Sequence, residues 1–393
     1  MKGDDPAFML FQRFSTAVLA IIFTLVVVFF SYGRYQARPV AVPKREAPEE
    51  PSIRVRTPGN YINVLSIDGG GVRLIPALQC LAELEKKAGK PVWEMFDIMV
   101  GTSSGALIVA ALAAPGEGGK ARYSAQELLD GFPKLLERMA AAPLVHPLLS
   151  LEGRSAPKFL TRERQRVLIE FFGDKTLTGA ALTTIILPAF AIEQNAPFMF
   201  ASDMGQSTTT GESPGRSVTE AGDYFLADAV IAATGDADVF APSRVANVTG
   251  DVELTFTSAS VFAANPTLVA VGEALLRFPQ KQCVVISLGG GALTKETPWP
   301  ARGWDSEAGP SSLVATATTG STILTAQATA LFHRFGSGPV AAYIRLDPTL
   351  PASASDPYDF SAGNIAEIQK AGVQLTTEKA ATIGRTAEFL SAR

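Results

Sequence analysis

Two cysteines and two histidines in 393 residues leave little room for several kinds of chemistry. Cys80 and Cys283 both lie in apolar runs and are too few for a disulfide framework or a thiolate zinc cage, so two buried thiols are expected. His146 and His333 are the whole stock of imidazole, which squeezes Ser-His-Asp relays and His-based metal centres. No His/Cys/carboxylate cluster has ligand spacing, and the sequence calls for neither metal nor cofactor. Charge is also scarce. Charged residues make up 18% of the chain, and 34 Lys+Arg against 38 Asp+Glu leave a net charge of -4. Without a basic surplus to neutralise a phosphate backbone, nucleic acid is not an expected partner. Apolar residues, at 47%, are plentiful enough for one large core or two smaller ones.

The longest uncharged run near the start covers 20 residues, Phe14 to Gly33. As a helix it spans roughly 30 Å, about the hydrocarbon thickness of a bilayer. Its length exceeds a secretory h-region, although Ser31-Tyr32-Gly33 makes a weak small-x-small cleavage pattern. The expectation is an uncleaved, single-pass anchor over residues 14–33, after a tail of residues 1–13. Lys2 and Arg13 precede it, whereas Arg34, Arg38, Lys44 and Arg45 follow, a bias that places the large C-terminal part on the cytoplasmic side. Residues 34–60 then carry Pro39, Pro43, Pro48, Pro51 and Pro58 among charged residues, which favours an extended tether.

One large domain is expected over residues 61–393. Buried-strand runs (Ile62–Ile67, Ile98–Val100, Thr184–Leu187, Val284–Leu288, Ala341–Leu346) alternate with helical stretches (Ala77–Lys87, Ala106–Ala114, Arg162–Phe172). This is the α/β pattern of a mostly parallel sheet covered on both faces. Residues 202–220, rich in Ser, Thr and Gly, read as a surface loop.

Two glycine-bearing turns carry the chemistry. The first is Asp68-Gly69-Gly70-Gly71-Val72-Arg73, at the end of an apolar strand. Glycines there let backbone amides converge on an anion, or simply make a tight strand-to-helix turn. Leu74 stands where a dinucleotide fingerprint would continue, and no Gly-Lys-Ser/Thr follows to make a phosphate loop. The second is Gly101-Thr102-Ser103-Ser104-Gly105, between a short strand and a small-residue helix. That is the G-x-S-x-G spacing of a nucleophile elbow, with Ser103 the candidate nucleophile and Gly101 and Gly105 relieving clashes around it. Asp68 and Asp97 flank the two turns and are expected to be turn or cap carboxylates.

Together these motifs resemble the patatin-like phospholipases, in which the first turn is an oxyanion hole and the second the elbow of a Ser-Asp dyad that needs no histidine. Further segments match in order: Phe171–Leu177, Leu187–Phe190, Ala229–Pro242, Val261–Pro266 and Ile286–Gly289, so the likeness covers roughly residues 61–376. It implies a three-layer fold around a central mostly parallel sheet, preceded here by one transmembrane helix. It also implies an oxyanion hole drawn from Gly69, Gly70, Gly71 and Arg73, and a membrane phospholipid or other lipid ester as substrate.

One departure stands out. The family's acid opens an Asp-Gly-Gly stretch just before the segment matched by Val261–Pro266, and Ser258-Ala259-Ser260 stands there instead. Ser258 therefore occupies the acid's position without a carboxylate. Asp251 is seven residues upstream, roughly 23 Å away along an extended strand. Asp236 and Asp238 lie where the resemblance implies small residues and proline; either one of them has taken over as the base or both are surface carboxylates, and the second is the expectation. The expected function is a membrane-anchored lipid acyl hydrolase weakened by a missing base, in which an aspartate at position 258 raises activity. The alternative is an inactive lipid-binding or interaction protein on the same fold.

Overall fold

A computed structural model describes residues 6–45, 59–143, 145–150, 155–203, 223–237, 239–293, 309–335 and 338–392. Asp238 and most of the 202–220 stretch, together with Pro48, Pro51 and Pro58, lie outside the described residues.

The strands in chain order are β1 Val40–Ala41, β2 Ile62–Ile67, β3 Ile98–Gly101, β4 Thr184–Ala191, β5 Ala196–Ala201, β6 Ser243–Ala246, β7 Glu253–Ser258, β8 Cys283–Leu288, β9 Ala292–Leu293, β10 Val340–Leu346 and β11 Thr349–Leu350. Nine form the main sheet in the order β1-β6-β7-β4-β3-β2-β8-β10, with β5 as an antiparallel partner of β4, while β9 and β11 pair separately. The helices are α1 Pro6–Gln36, α2 Ile75–Ala88, α3 Val92–Met95, α4 Ser104–Ala113, α5 Ala125–Met139, α6 His146–Ser150, α7 Thr161–Phe172, α8 Leu226–Ala233, α9 Ser260–Ala263, α10 Thr267–Arg277, α11 Gly309–Arg334, α12 Ala362–Glu378 and α13 Ala380–Ser391.

The predicted strand runs each fall within an observed strand, and β2 occupies the predicted Ile62–Ile67. The physical reason is burial on both faces. Along β2, Leu65 and Ile67 join the core under α2, α4 and α5, whereas Ile62 and Val64 join a second core against α10. The result is three layers, helix over sheet over helix. All ten residues of α4 are buried, and its Gly, Ala, Leu, Ile and Val side chains suit a helix enclosed on all sides. Cys80 and Cys283 are free and buried, and burial pushes their thiols up to about 12 and about 11.

The register sets up the site. β2 and β3 run parallel with Ile67 opposite Gly101, so the triple-glycine turn and the Ser103 turn leave the sheet side by side. β7 is antiparallel to β4 and delivers Ser258 opposite Ala189, level with the same end of the sheet.

The chain before the sheet is more engaged than a tether. β1 adds a parallel edge strand to β6, with Val40 N–H donating to Pro242 O at 2.9 Å and Val42 N–H to Arg244 O at 2.8 Å. Pro39 and Pro43 bracket this short strand without removing either donor, the edge placement that proline tolerates. Arg45 then pairs with buried Asp228 and lies 4.3 Å from the Phe225 ring centre. In α1, Val18–Gln36 has a mean hydropathy of 1.9 and is long and apolar enough to cross a bilayer, a property that a signal sequence shares. The end of α1 touches the domain: Tyr32 OH hydrogen-bonds His146 Nδ1, and Gly33 is packed against Ser155. His146 is thus a buried structural residue, and His333 ends α11 on the surface.

Candidate active site

Ser103 sits between β3 and α4 with φ 52° and ψ −123°, a conformation costly for a residue with a side chain. It persists because its surroundings fit tightly. A Cβ on Gly101 would come within 2.2 Å of Gly105 O, and one on Gly105 within 2.4 Å of Asp68 O. The two glycines thus let the elbow close on itself and lie on the neighbouring turn. Thr102 Oγ1 donates to Ala263 O at 2.6 Å, and Gly69 N–H donates to Ala264 O at 2.9 Å, so the segment after α9 stitches both turns together.

Ser103 Oγ donates to Asp236 Oδ2 at 2.8 Å. Asp236 follows α8 by three residues and is half-buried, so the expectation of a surface carboxylate is corrected. The same oxygen accepts from Tyr358 OH at 2.6 Å, while Oδ1 accepts from the hydroxyls of Ser258 and Ser260. Four hydroxyl donors therefore surround one carboxylate. Ser258, which the resemblance puts at the acid position, is a donor to a carboxylate that arrives from the facing loop.

That loop is held by a buried cation. Arg164, fully buried on α7, donates to Ile231 O at 2.6 Å, Thr234 Oγ1 at 2.8 Å and Ser243 Oγ at 2.9 Å. These bonds satisfy the end of α8 and fix the turn from which Asp236 projects. Burial pushes Arg164 down to about 10, opposed first by the charge of Asp236. Gly235 O accepts from Ser258 N–H at 2.9 Å and from Thr257 Oγ1 at 2.8 Å, locking the loop to the end of β7.

The four residues expected around an oxyanion divide. Gly69 N–H is committed to Ala264 O, and Gly71 N–H donates to Ser104 Oγ at 2.7 Å. Arg73 sends its guanidinium away to Ser355 O at 3.2 Å. Gly70 N–H has no acceptor among the described residues. It is joined by Ser104 N–H at the first position of α4, where amides lack intrahelical acceptors and favour negative charge. Asp68 is not a cap. It makes a bidentate pair with Arg345, at 2.9 and 2.6 Å, and burial pushes its carboxyl up to about 6 against the Arg345 charge. Asp97 is not a cap either: it accepts from Asn63 N–H at 2.8 Å and so ties the start of β2 to the residue before β3.

A family model described as patatin-like phospholipase matches residues 65–270, more than half of the chain. The chain belongs to the patatin-like phospholipase family. It is 30% identical over 251 residues to Patatin-like protein 2 of Arabidopsis thaliana, an alignment covering 58% of this chain and 56% of that one. It is 34% identical over 155 residues to Patatin-like protein 2 of Oryza sativa subsp. indica, covering 36% of each. The chain thus spans about half or less of the length of these curated relatives. Among solved structures, VipD from Legionella pneumophila aligns with a TM-score of 0.31 and 11% identity, over 82% of this chain and 67% of that one.

The patatin-like motifs account for Ser103 and the glycine turns but not for what surrounds Asp236. Tyr358 is 122 residues from Asp236 in sequence and carries no local signal. Asp236 carries one, being a carboxylate where the resemblance implies a small residue. Among the described residues no group of three or more His, Cys, Asp and Glu is arranged to hold a metal.

Proposed function

We propose that this chain is a membrane-anchored lipid acyl hydrolase with Ser103 as nucleophile and Asp236 as its base. The observation that carries this reading is the 2.8 Å hydrogen bond from Ser103 Oγ to Asp236 Oδ2 at a strained elbow. As Oγ attacks the acyl carbonyl carbon, its proton passes to Oδ2, and the carbonyl oxygen becomes an anion received by the N–H groups of Gly70 and Ser104. Collapse expels the alcohol, which leaves with the proton from Asp236, and Ser103 stays acylated. Water then attacks the acyl group, giving a proton to Asp236 that returns to Oγ as the fatty acid departs.

Ser258 and Ser260 hold Oδ1, which turns Oδ2 toward Ser103. Apolar Val261 and Phe262, exposed beside Ser260, suit an acyl chain at the mouth. The anchoring reading is supported by the length and hydropathy of Val18–Gln36. A catalytically silent lipid-binding protein is the second reading, favoured by the Gly71 amide being turned onto Ser104. Labelling of the purified chain by a fluorophosphonate separates the two. Labelling abolished by Ser103→Ala and strongly slowed by Asp236→Asn supports the hydrolase, whereas no labelling of folded wild-type protein supports the silent form.

A further inference from the structure

Away from Ser103, a cavity of about 790 Å³ opens where the end of α1 and the β1 segment meet the start of α7. Three guanidinium side chains line it, Arg38, Arg162 and Arg166, against one acid, Glu163. Tyr35 and Gln36, the last residues of α1, form its wall, and Arg38 follows two residues later. Arg162 Nη2 donates to Tyr35 OH at 3.3 Å, and Arg38 has no side-chain partner among the described residues. Arg166 is paired with Glu163 at 3.0 Å and Glu170 at 3.3 Å. Those pairs are solvent-exposed, and exposed pairs exchange partners at little cost.

We infer that this cleft binds the phosphate-bearing headgroup of an anionic membrane phospholipid, an inference that rests on the anchoring reading. A helix leaving the hydrocarbon layer meets the phosphates within its last turn, the level at which tyrosine is enriched. Here that level holds an exposed tyrosine and three arginines around a cleft with room for a headgroup. Guanidinium forks match the paired oxygens of a phosphodiester, and basic groups beside a membrane helix draw anionic lipid. The cleft belongs to the junction between helix and domain, so a lipid seated there contacts both.

The test uses the full chain, reconstituted into vesicles of phosphatidylcholine alone or mixed equally with phosphatidylglycerol. Flotation reports insertion, and native mass spectrometry of the released protein reports which lipid stays bound. The expected result is flotation with both vesicle types and retention of phosphatidylglycerol over phosphatidylcholine, a preference falling about fivefold for each guanidinium removed in Arg38→Gln, Arg162→Gln and Arg166→Gln. Arg38→Glu is the companion variant, since the Arg38 side chain has no hydrogen-bond or ion-pair partner among the described residues. Flotation without a lipid preference, or a preference that survives the substitutions, overturns the headgroup site and leaves anchoring intact. Failure to float overturns both. Arginine-dependent binding of inorganic phosphate by calorimetry without phosphatidylglycerol retention assigns the cleft to free phosphate and overturns the lipid.

Discussion

The hydroxyl of Ser258 donates to Oδ1 of Asp236, so the residue that the resemblance puts at the acid position is bonded to a carboxylate from another loop. In the proposed mechanism the acid has moved across the site. Two chain segments converge on the same point in space, β7 from one side and the turn after α8 from the other.

Replacing that carboxylate is the direct test. Asp236→Asn keeps the volume but cannot take the proton of Ser103, and hydrolysis of p-nitrophenyl butyrate is expected to fall by about 10²–10⁴-fold. Circular dichroism checks that the fold is kept. Activity within threefold of wild type, in a folded variant, rules Asp236 out as the base.

Ser258→Asp, which the sequence presents as a repair, is expected to do harm. It sets a second carboxylate against Asp236 Oδ1 and removes a donor, and two carboxylates in contact raise each other's proton affinity. The expected outcome is a drop in esterase activity at neutral pH of about tenfold or more, with partial recovery at Ser258→Ala. A tenfold gain at Ser258→Asp would restore the idea of an empty base position.

Tyr358→Phe removes one hydroxyl from the oxygen that faces Ser103. That donor helps hold Oδ2 in line with Ser103, so its loss is expected to lower kcat for p-nitrophenyl butyrate by about tenfold while KM stays within twofold. A role for Tyr358 in substrate binding predicts instead a raised KM with kcat unmoved, and steady-state kinetics of both proteins distinguish the two.

Stability should also depend on pH through a buried acid at the sheet edge. Burial pushes Asp228 up to about 6 despite its partner Arg45, above its ordinary 3.8. The folded chain therefore holds this proton more tightly than the unfolded chain. Its stabilising share is fully present below about 3.8 and is lost as pH rises through about 6. Asp228→Asn should flatten the thermal midpoint over this window, leaving the contribution of Asp68, which has the same sign. An unchanged slope in the variant contradicts the assignment.

Burial and repetition made some of this readable in advance. β2 and β8 are enclosed on both faces and so appear in sequence as largely apolar runs, interrupted only by Asn63 and Ser66 in β2 and Ser287 in β8. The elbow is equally legible, because close backbone approach dictates glycine at positions 101 and 105. Asp236 was misjudged because its surroundings belong to other segments: Ser103 lies 133 residues away, and the neighbours of Asp236 in sequence say nothing of Arg164 or Tyr358. β1 was missed for a related reason. A two-residue edge strand between prolines has no periodicity to find, and its pairing is dictated by the exposed rim of β6.

The junction after α1 has a mechanical consequence. Only residues 37–39 separate the helix from β1, Tyr32 is bonded to His146, and Gly33 lies so close to Ser155 that a Cβ would meet its carbonyl at 2.3 Å. With no slack and two lateral fastenings, the helix works as a mast and not as a leash. Whatever layer fixes its tilt also fixes the compass heading of the sheet, and with it the direction from which a substrate reaches Ser103.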